Sequence, residues 1–357
     1  WSAGYGESNR ATRVWPTVDL IVDFESASFS IYDLDFDYLR QTIVVTDVII
    51  KEVKHPTTGK VTKKKKKTVE VDYEDAEVLR QFTKANPTEP VPDLELWRED
   101  LRRYNNLLKH SFIDSGTQDK PEFVKPLLTA AGEPRRDKDG KVKTYTVRIN
   151  QSSKFVRRTF SRNSLEYNGR LNGGWWQRIS EQQRVSILID DWETVEIDFS
   201  GIHPTILYAR KGVAPLKGDL YEVAPLFGSE VTAEQQRKWM KGIVLIGINA
   251  KNDAGAIHAL RDEAVERGIP EILDKSYAEL KTLLDAFRDK HKTIADMLCA
   301  DAGITCMRHD ANICMRVVNH FTEKKIPILT VHDSMIIRYD QTEALRKAMR
   351  DSFRKEF

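Results

Sequence analysis

The chain has 357 residues, with 56 Lys and Arg against 54 Asp and Glu, so its formal charge of +2 gives no global attraction to a polyanion. At 40% hydrophobic and 31% charged residues it is long enough to bury more than one core, and its composition excludes disorder, a collagen-like repeat and a disulfide scaffold. No run reads as a membrane span and no apolar segment behind a basic start reads as a secretion signal. The three cysteines, Cys299, Cys306 and Cys314, have no Cys-x-x-Cys spacing, which fits a reducing, cytoplasmic setting with buried thiols.

In chain order, VDLIVDF and QTIVVTDVIIKEV carry the β-branched pattern of strands, and HPTTGKV reads as the hairpin connection to TKKKKKTVEV. The five lysines at 63–67 suit an exposed strand edge. Asp23 and Glu25 in LIVDFES are similar to the first motif of a 3′ to 5′ exonuclease, but the other carboxylates of such a site are not evident. Proline-rich NPTEPVPDLE leads into a helix around LWREDLRRYNNLLKHSF. Residues 131–145 are charged and glycine-broken and read as a hairpin or loop. The segment 154–162 is basic and includes Lys154, Arg157 and Arg158.

TVEIDFS then predicts a strand and HPTILYARKG a helix start. AEQQRKWMKGIVLIGINA, residues 262–299 and DANICMRVVNHFTEK predict helices, IPILTVHDSMIIRYD a hairpin, and EALRKAMRDSFRKEF a final helix. Asp198 and Asp333 each follow a short β segment where the chain changes direction. Singly, such an aspartate caps a helix or stabilises a turn. Together, two carboxylates at strand ends can hold two divalent ions for phosphoryl chemistry. Arg237, Lys241 and Asn249 lie at four-residue steps on one helix face, where the two cations suit phosphate oxygens.

These residues carry a resemblance. DFSGIHPTILYA, RKWMKGIVLIGINA and LTVHDSMII resemble motifs A, B and C of the family A nucleic-acid polymerases. NGRLNGGWWQRIS is similar to an upstream segment of that family, and GDLYEVA to a short helix after motif A. The resemblance spans roughly residues 150–340 and rests on the order of five segments.

It implies an α+β right hand with an antiparallel-sheet palm, helical fingers and a reduced thumb, plus a small mixed α/β N-terminal region. The implied divisions are 1–85 for that region, 86–165 for a helical, basic thumb, 166–235 for the palm with motif A, 236–305 for the fingers, and 306–357 for the palm with motif C. The implied activity is template-directed DNA synthesis from a primer 3′ end with two Mg²⁺ ions, Mn²⁺ being an alternative. Asp198, Asp333 and the Phe199 carbonyl would bind metal, Lys241 and Arg237 the triphosphate, and His203 and Asn249 the sugar. Arg170, Gln177 and His332 would meet the primer and template, and Lys154, Arg157 and Arg158 the duplex backbone.

His203, Asn249 with Ala250, and Ser334 depart from the usual DNA-polymerase residues. RNA polymerase or primase activity with ribonucleotides therefore stays open, as does a non-catalytic nucleic-acid-binding protein. The implied partners are a DNA primer–template and nucleoside triphosphates, with RNA as an alternative and no membrane.

Overall fold

The computed structural model describes residues 2–3, 14–15, 17–26, 40–54, 61–116, 120–127, 129 and 133–357. Strands β1 (Ser2–Ala3) and β2 (Val14–Trp15) pair antiparallel, and α1 covers Val18–Ser26. The strand expected at VDLIVDF is thus a helix. A short apolar run satisfies either period, and the Thr17 hydroxyl, accepting the Leu20 N–H at 3.3 Å, caps a helix start. The side chains of Asp23 and Glu25 lie outside the described residues, as does most of HPTTGKV.

The long strands β3 (Ile43–Lys54) and β4 (Val61–Glu70) form an antiparallel pair, with the lysine-rich β4 at a sheet edge as expected. Helices α2 (Asp75–Ala85) and α3 (Leu94–His110) follow, the second capped by Asp93, which accepts the Leu96 N–H at 2.9 Å. Then come β5 (Ile113–Ser115) and the hairpin of β6 (Glu122–Pro126) with β7 (Thr144–Arg148). Strands β8 (Arg157–Ser161) and β9 (Ser164–Asn172) lead to a 3₁₀ turn, Trp175–Arg178, and to the one-turn helix α4 (Glu181–Arg184).

Strands β10 (Ile187–Ile189) and β11 (Trp192–Asp198) precede the helices α5 (Ile202–Arg210), α6 (Ala233–Asn249), α7 (Asp253–Glu263), α8 (Tyr277–Lys290) and α9 (Gly303–Glu323). The hairpin β12 (Ile328–Val331) and β13 (Ser334–Arg338) and helix α10 (Thr342–Glu356) complete the order.

Two sheets result. One is antiparallel, in the order β12-β13-β11-β10-β5; the other runs β4-β3-β8-β9. In the second, residues 43–45 lie parallel to 158–160, a pairing that needs a long crossover. The divisions implied at 85/86 and 165/166 therefore run through one sheet.

Two cores form around the long helix α9. Cys314, Val317 and Phe321 join a core with both sheets, α2, α3 and α10, which includes Tyr104, Trp176 and Met335. Cys306 and Ile313 join a second core with α5 to α8, centred on Trp239, Ile243 and Phe287. Phe199 packs against both, so the turn after Asp198 is held between them. All three cysteines are free and buried, and burial pushes the Cys299 and Cys306 thiols up to about 12. No helix among the described residues is long and apolar enough to cross a membrane.

Candidate active site

Strand register brings the two aspartates together. In the β11–β13 ladder Asp198 stands opposite Ser334. The two-residue turn His332-Asp333, with His332 at φ 56°, joins Val331 to the same Ser334. Asp333 is therefore one residue from the partner of Asp198. Burial first, and then the Asp333 charge, raise the Asp198 carboxyl from 3.8 to about 6, against the opposing Phe199 N–H and Lys241 ammonium. Asp198 keeps an exposed surface although neighbouring groups partly desolvate its carboxyl.

Neither carboxylate has an ion-pair partner among the described residues. The nearby Glu196 does: Arg184 grips it with bonds of 2.7 and 2.8 Å, and the Ser334 hydroxyl donates to it. These groups, with Gln177 and His332, line a cleft of about 590 Å³. Arg184 and Glu196 lay outside the sequence expectations, since their pairing joins two separate segments.

Beside the cleft, α6 starts with a Thr232–Gln235 capping box and buries Trp239, Met240 and Ile243. Lys241 faces outward on the same helix, and its charge reaches Asp198. Arg237 is engaged: its Nε donates to the Asp219 carboxylate, and its guanidinium lies 6.0 Å from the Tyr221 ring centroid. Asp219 sits on residues 218–224, where a short helix was expected and turns are found. Backbone carbonyls there are taken by Lys290, at 2.6 Å from Asp219 and 2.5 Å from Glu222, and by His291, at 2.7 Å from Leu220, so they do not close helical bonds. Asn249 donates to the Leu245 carbonyl at 2.8 Å, and it lies against Gly303, where a Cβ would come within 2.1 Å of its Oδ1.

The turn from Asp198 into α5 passes through Gly201 at φ 62°, a conformation that favours glycine. One residue into the helix, buried His203 places Nε2 3.0 Å from Asp310 Oδ2 and 3.1 Å from Arg170 Nη2. In one protonation state that nitrogen either donates to the carboxylate or accepts from the guanidinium. Arg170 also holds Asp310 through Nε at 3.2 and 3.1 Å, and the carboxylate keeps the guanidinium above its ordinary pKa although burial alone would lower it. Asp310 was absent from the sequence expectations. Its signal was a charge at the four-residue spacing of Cys306 and Cys314, on a buried helix face.

Gln177 is held by the Thr330 and Leu171 carbonyls at 2.8 and 3.1 Å. His332 stands exposed at the cleft, and burial of its surroundings, aided by Arg170, lowers its pKa.

The basic segment needs correction. Lys154 is buried, donating to the carbonyls of Lys109 and Ser111 at 3.0 and 2.6 Å, where it closes the end of α3, and burial lowers its pKa to about 8. Arg158 is buried between Trp97 and Phe160, 4.6 and 5.0 Å from their ring centroids, and donates to Gly169 and Asn312. Arg157 is paired with Glu70 at 2.7 Å. Inward alternation along β8 and the Lys154 cap remove two of these three cations from any outer surface.

Fold and cleft together define a mixed α/β protein with two ion-pair-free carboxylates beside a cationic helix. No protein-family model and no curated protein matches the sequence. Among solved structures the chain is similar to the POL domain of Pol1 from M. smegmatis, in a complex with DNA primer-template and dNTP. The TM-score is 0.33 and the identity 15%, over 95% of this chain and 61% of that one. The chain thus spans less than two thirds of that structure's length.

Proposed function

We propose that this protein is a template-directed DNA polymerase that adds nucleotides to a primer 3′ end. The observation that carries this reading is the convergence of Asp198 and Asp333, neither ion-paired, at adjoining strand ends within reach of the Lys241 charge.

The residues fit divalent metal. A cation would offset both causes of the rise of Asp198 to about 6, the burial of its charge and the repulsion from Asp333. Among the described residues no group of three or more His, Cys, Asp or Glu is placed to hold a metal. Two carboxylates and the Phe199 carbonyl instead suit Mg²⁺, or Mn²⁺ in its place, which fills remaining positions with water and substrate phosphate. Two such ions would polarise the primer 3′-oxygen and stabilise the leaving pyrophosphate.

The chain's own groups do the rest by position and charge. Asp198 and Asp333 fix the reacting centre on the sheet, which is the palm in this reading, with α6 to α8 as fingers. Lys241 offsets charge on the leaving phosphates, and Arg237 exchanges Asp219 for the terminal phosphate. Arg170, Gln177 and His332 border the primer end.

Ribonucleotide synthesis is the second reading, favoured by the engagement of His203 by Asp310 and Arg170 in place of an open sugar contact. The test is extension of DNA and RNA primers, and of no primer, with dNTPs and NTPs offered separately. Template-directed dNTP incorporation is expected. Incorporation of NTPs alone selects the second reading, and incorporation of neither contradicts both.

A further inference from the structure

A second cleft, of about 540 Å³, lies behind the 3₁₀ turn Trp175–Arg178. The two clefts share this turn: Gln177 lines the first, and Trp175 and Arg178 line the second. Arg40, Arg148 and Arg178 border the second cleft, and among the described residues no carboxylate does. Arg148 and Arg178 are exposed and have no ion-pair partner among the described residues. This contrasts with Arg157, Arg162 and Arg170, each held by an acid.

The surroundings suit a nucleotide chain. Asn150 and Ser152 add polar groups, and Arg40 and Arg178 lie over the rings of Phe155 and Tyr145 at 5.3 and 5.1 Å. Arginines on aromatic rings provide both charge for phosphate and platforms for bases. A second observation is independent of charge. Trp175 is 1% exposed, lines this cleft, and its indole N–H has no hydrogen-bond partner among the described residues. Buried donors are ordinarily satisfied, so this one marks incomplete polar pairing in the wall of the cleft.

We infer that this second cleft binds the phosphodiester backbone of a single nucleic-acid strand passing to or from the first cleft. Its volume is that of a small-ligand pocket, room for about one or two nucleotides. That the strand continues into the first cleft rests on the nucleotide-transfer reading; that the second cleft binds phosphodiester does not.

The test is fluorescence anisotropy in EDTA with labelled oligo(dT), oligo(rU) and a blunt DNA duplex, across a salt series. For the R148A/R178A double variant, single-strand affinity should fall roughly ten-fold and the salt slope by about 1.4, at about 0.7 per phosphate. R148K/R178K should recover most of the slope. Blunt-duplex affinity should change less than about two-fold, because in this inference the cleft takes one strand alone. Preference for oligo(dT) identifies a DNA strand and preference for oligo(rU) an RNA strand, and either supports the site.

Unchanged single-strand affinity and slope in a double variant that melts like the wild type overturns the inference. So does an equal loss of duplex binding, or absence of single-strand binding by the wild type. Strand binding in this cleft without nucleotide addition would contradict only the polymerase reading. Extension by a protein whose strand binding ignores Arg148 and Arg178 would contradict only the cleft.

Discussion

His203 and Asp310, 107 residues apart, meet at 3.0 Å between α5 and α9, and Arg170 from β9 completes the contact. The Asp310 carboxylate is thus spent inside the protein, holding a histidine beside the turn that follows Asp198. Asp310→Ala leaves the largely buried Arg170 guanidinium without its carboxylate and should cost about 3 to 5 kcal/mol. Urea unfolding measures this, and a loss below about 1 kcal/mol would contradict the buried pair. Asp310→Asn keeps the volume and one acceptor, so its loss should be smaller.

His203→Ala should leave more of the fold intact, because Arg170 and Asp310 keep each other as partners. If His203 reaches the sugar, the ratio of dNTP to NTP incorporation falls in this variant. An unchanged ratio assigns His203 to positioning Arg170 and Asp310 alone.

The raised Asp198 carboxyl has two opposite consequences for pH. Between 3.8 and about 6 the metal-free folded chain retains a proton that the unfolded chain has released, so stability falls as pH rises through that window. Metal binding needs the ionised form, so Mg²⁺ affinity rises through the same window and levels off above about 6. Asp198→Asn removes the repulsion with Asp333, and the metal-free variant should melt above the wild type at pH 7. A lower melting temperature would contradict burial and the Asp333 charge as the joint source of the shift.

Arg237 and Asp219 form a partly exposed pair, a class worth about 1 kcal/mol or less, so a triphosphate can compete for the guanidinium. Asp219→Asn should lower KM for the nucleotide several-fold with kcat little changed. Arg237→Ala should raise KM. If Asp219→Asn raises KM instead, Asp219 has a constructive role at the site and the exchange is wrong.

Lys154→Ala should act on folding and not on nucleic acid. It strands two carbonyls at the end of α3 and should cost about 1 to 3 kcal/mol in urea unfolding, with no change in the salt slope of binding. A reduced slope would place Lys154 on the nucleic acid.

Local pattern made much of the site readable. The alternation of TVEIDFS, the turn after Asp198 and the β12–β13 hairpin are set within a few residues, and so were the elements that carry the two aspartates. The face shared by Arg237 and Lys241 was readable from helix spacing. What the sequence concealed was partnership across distance. Asp219 engages Arg237 from another segment, Asp310 meets His203 across two helices, and Glu196 is neutralised by Arg184. Lys154 and Arg158 read as surface charge because nothing local reveals the carbonyls and rings that enclose them. VDLIVDF is too short for its period to separate strand from helix, and in the fold a threonine caps it as a helix.

The most direct measurement is single-turnover nucleotide incorporation on a DNA primer–template with Mg²⁺, comparing the wild type with Asp198→Ala and Asp333→Ala. If the two carboxylates hold the metal ions, loss of either should reduce the rate by at least about a thousand-fold, equivalent to some 4 kcal/mol of barrier. Primer–template binding should change by less than about three-fold, because its affinity comes from cations elsewhere on the chain. Incorporation at the wild-type rate by either variant, or no incorporation by the wild type, would contradict the account.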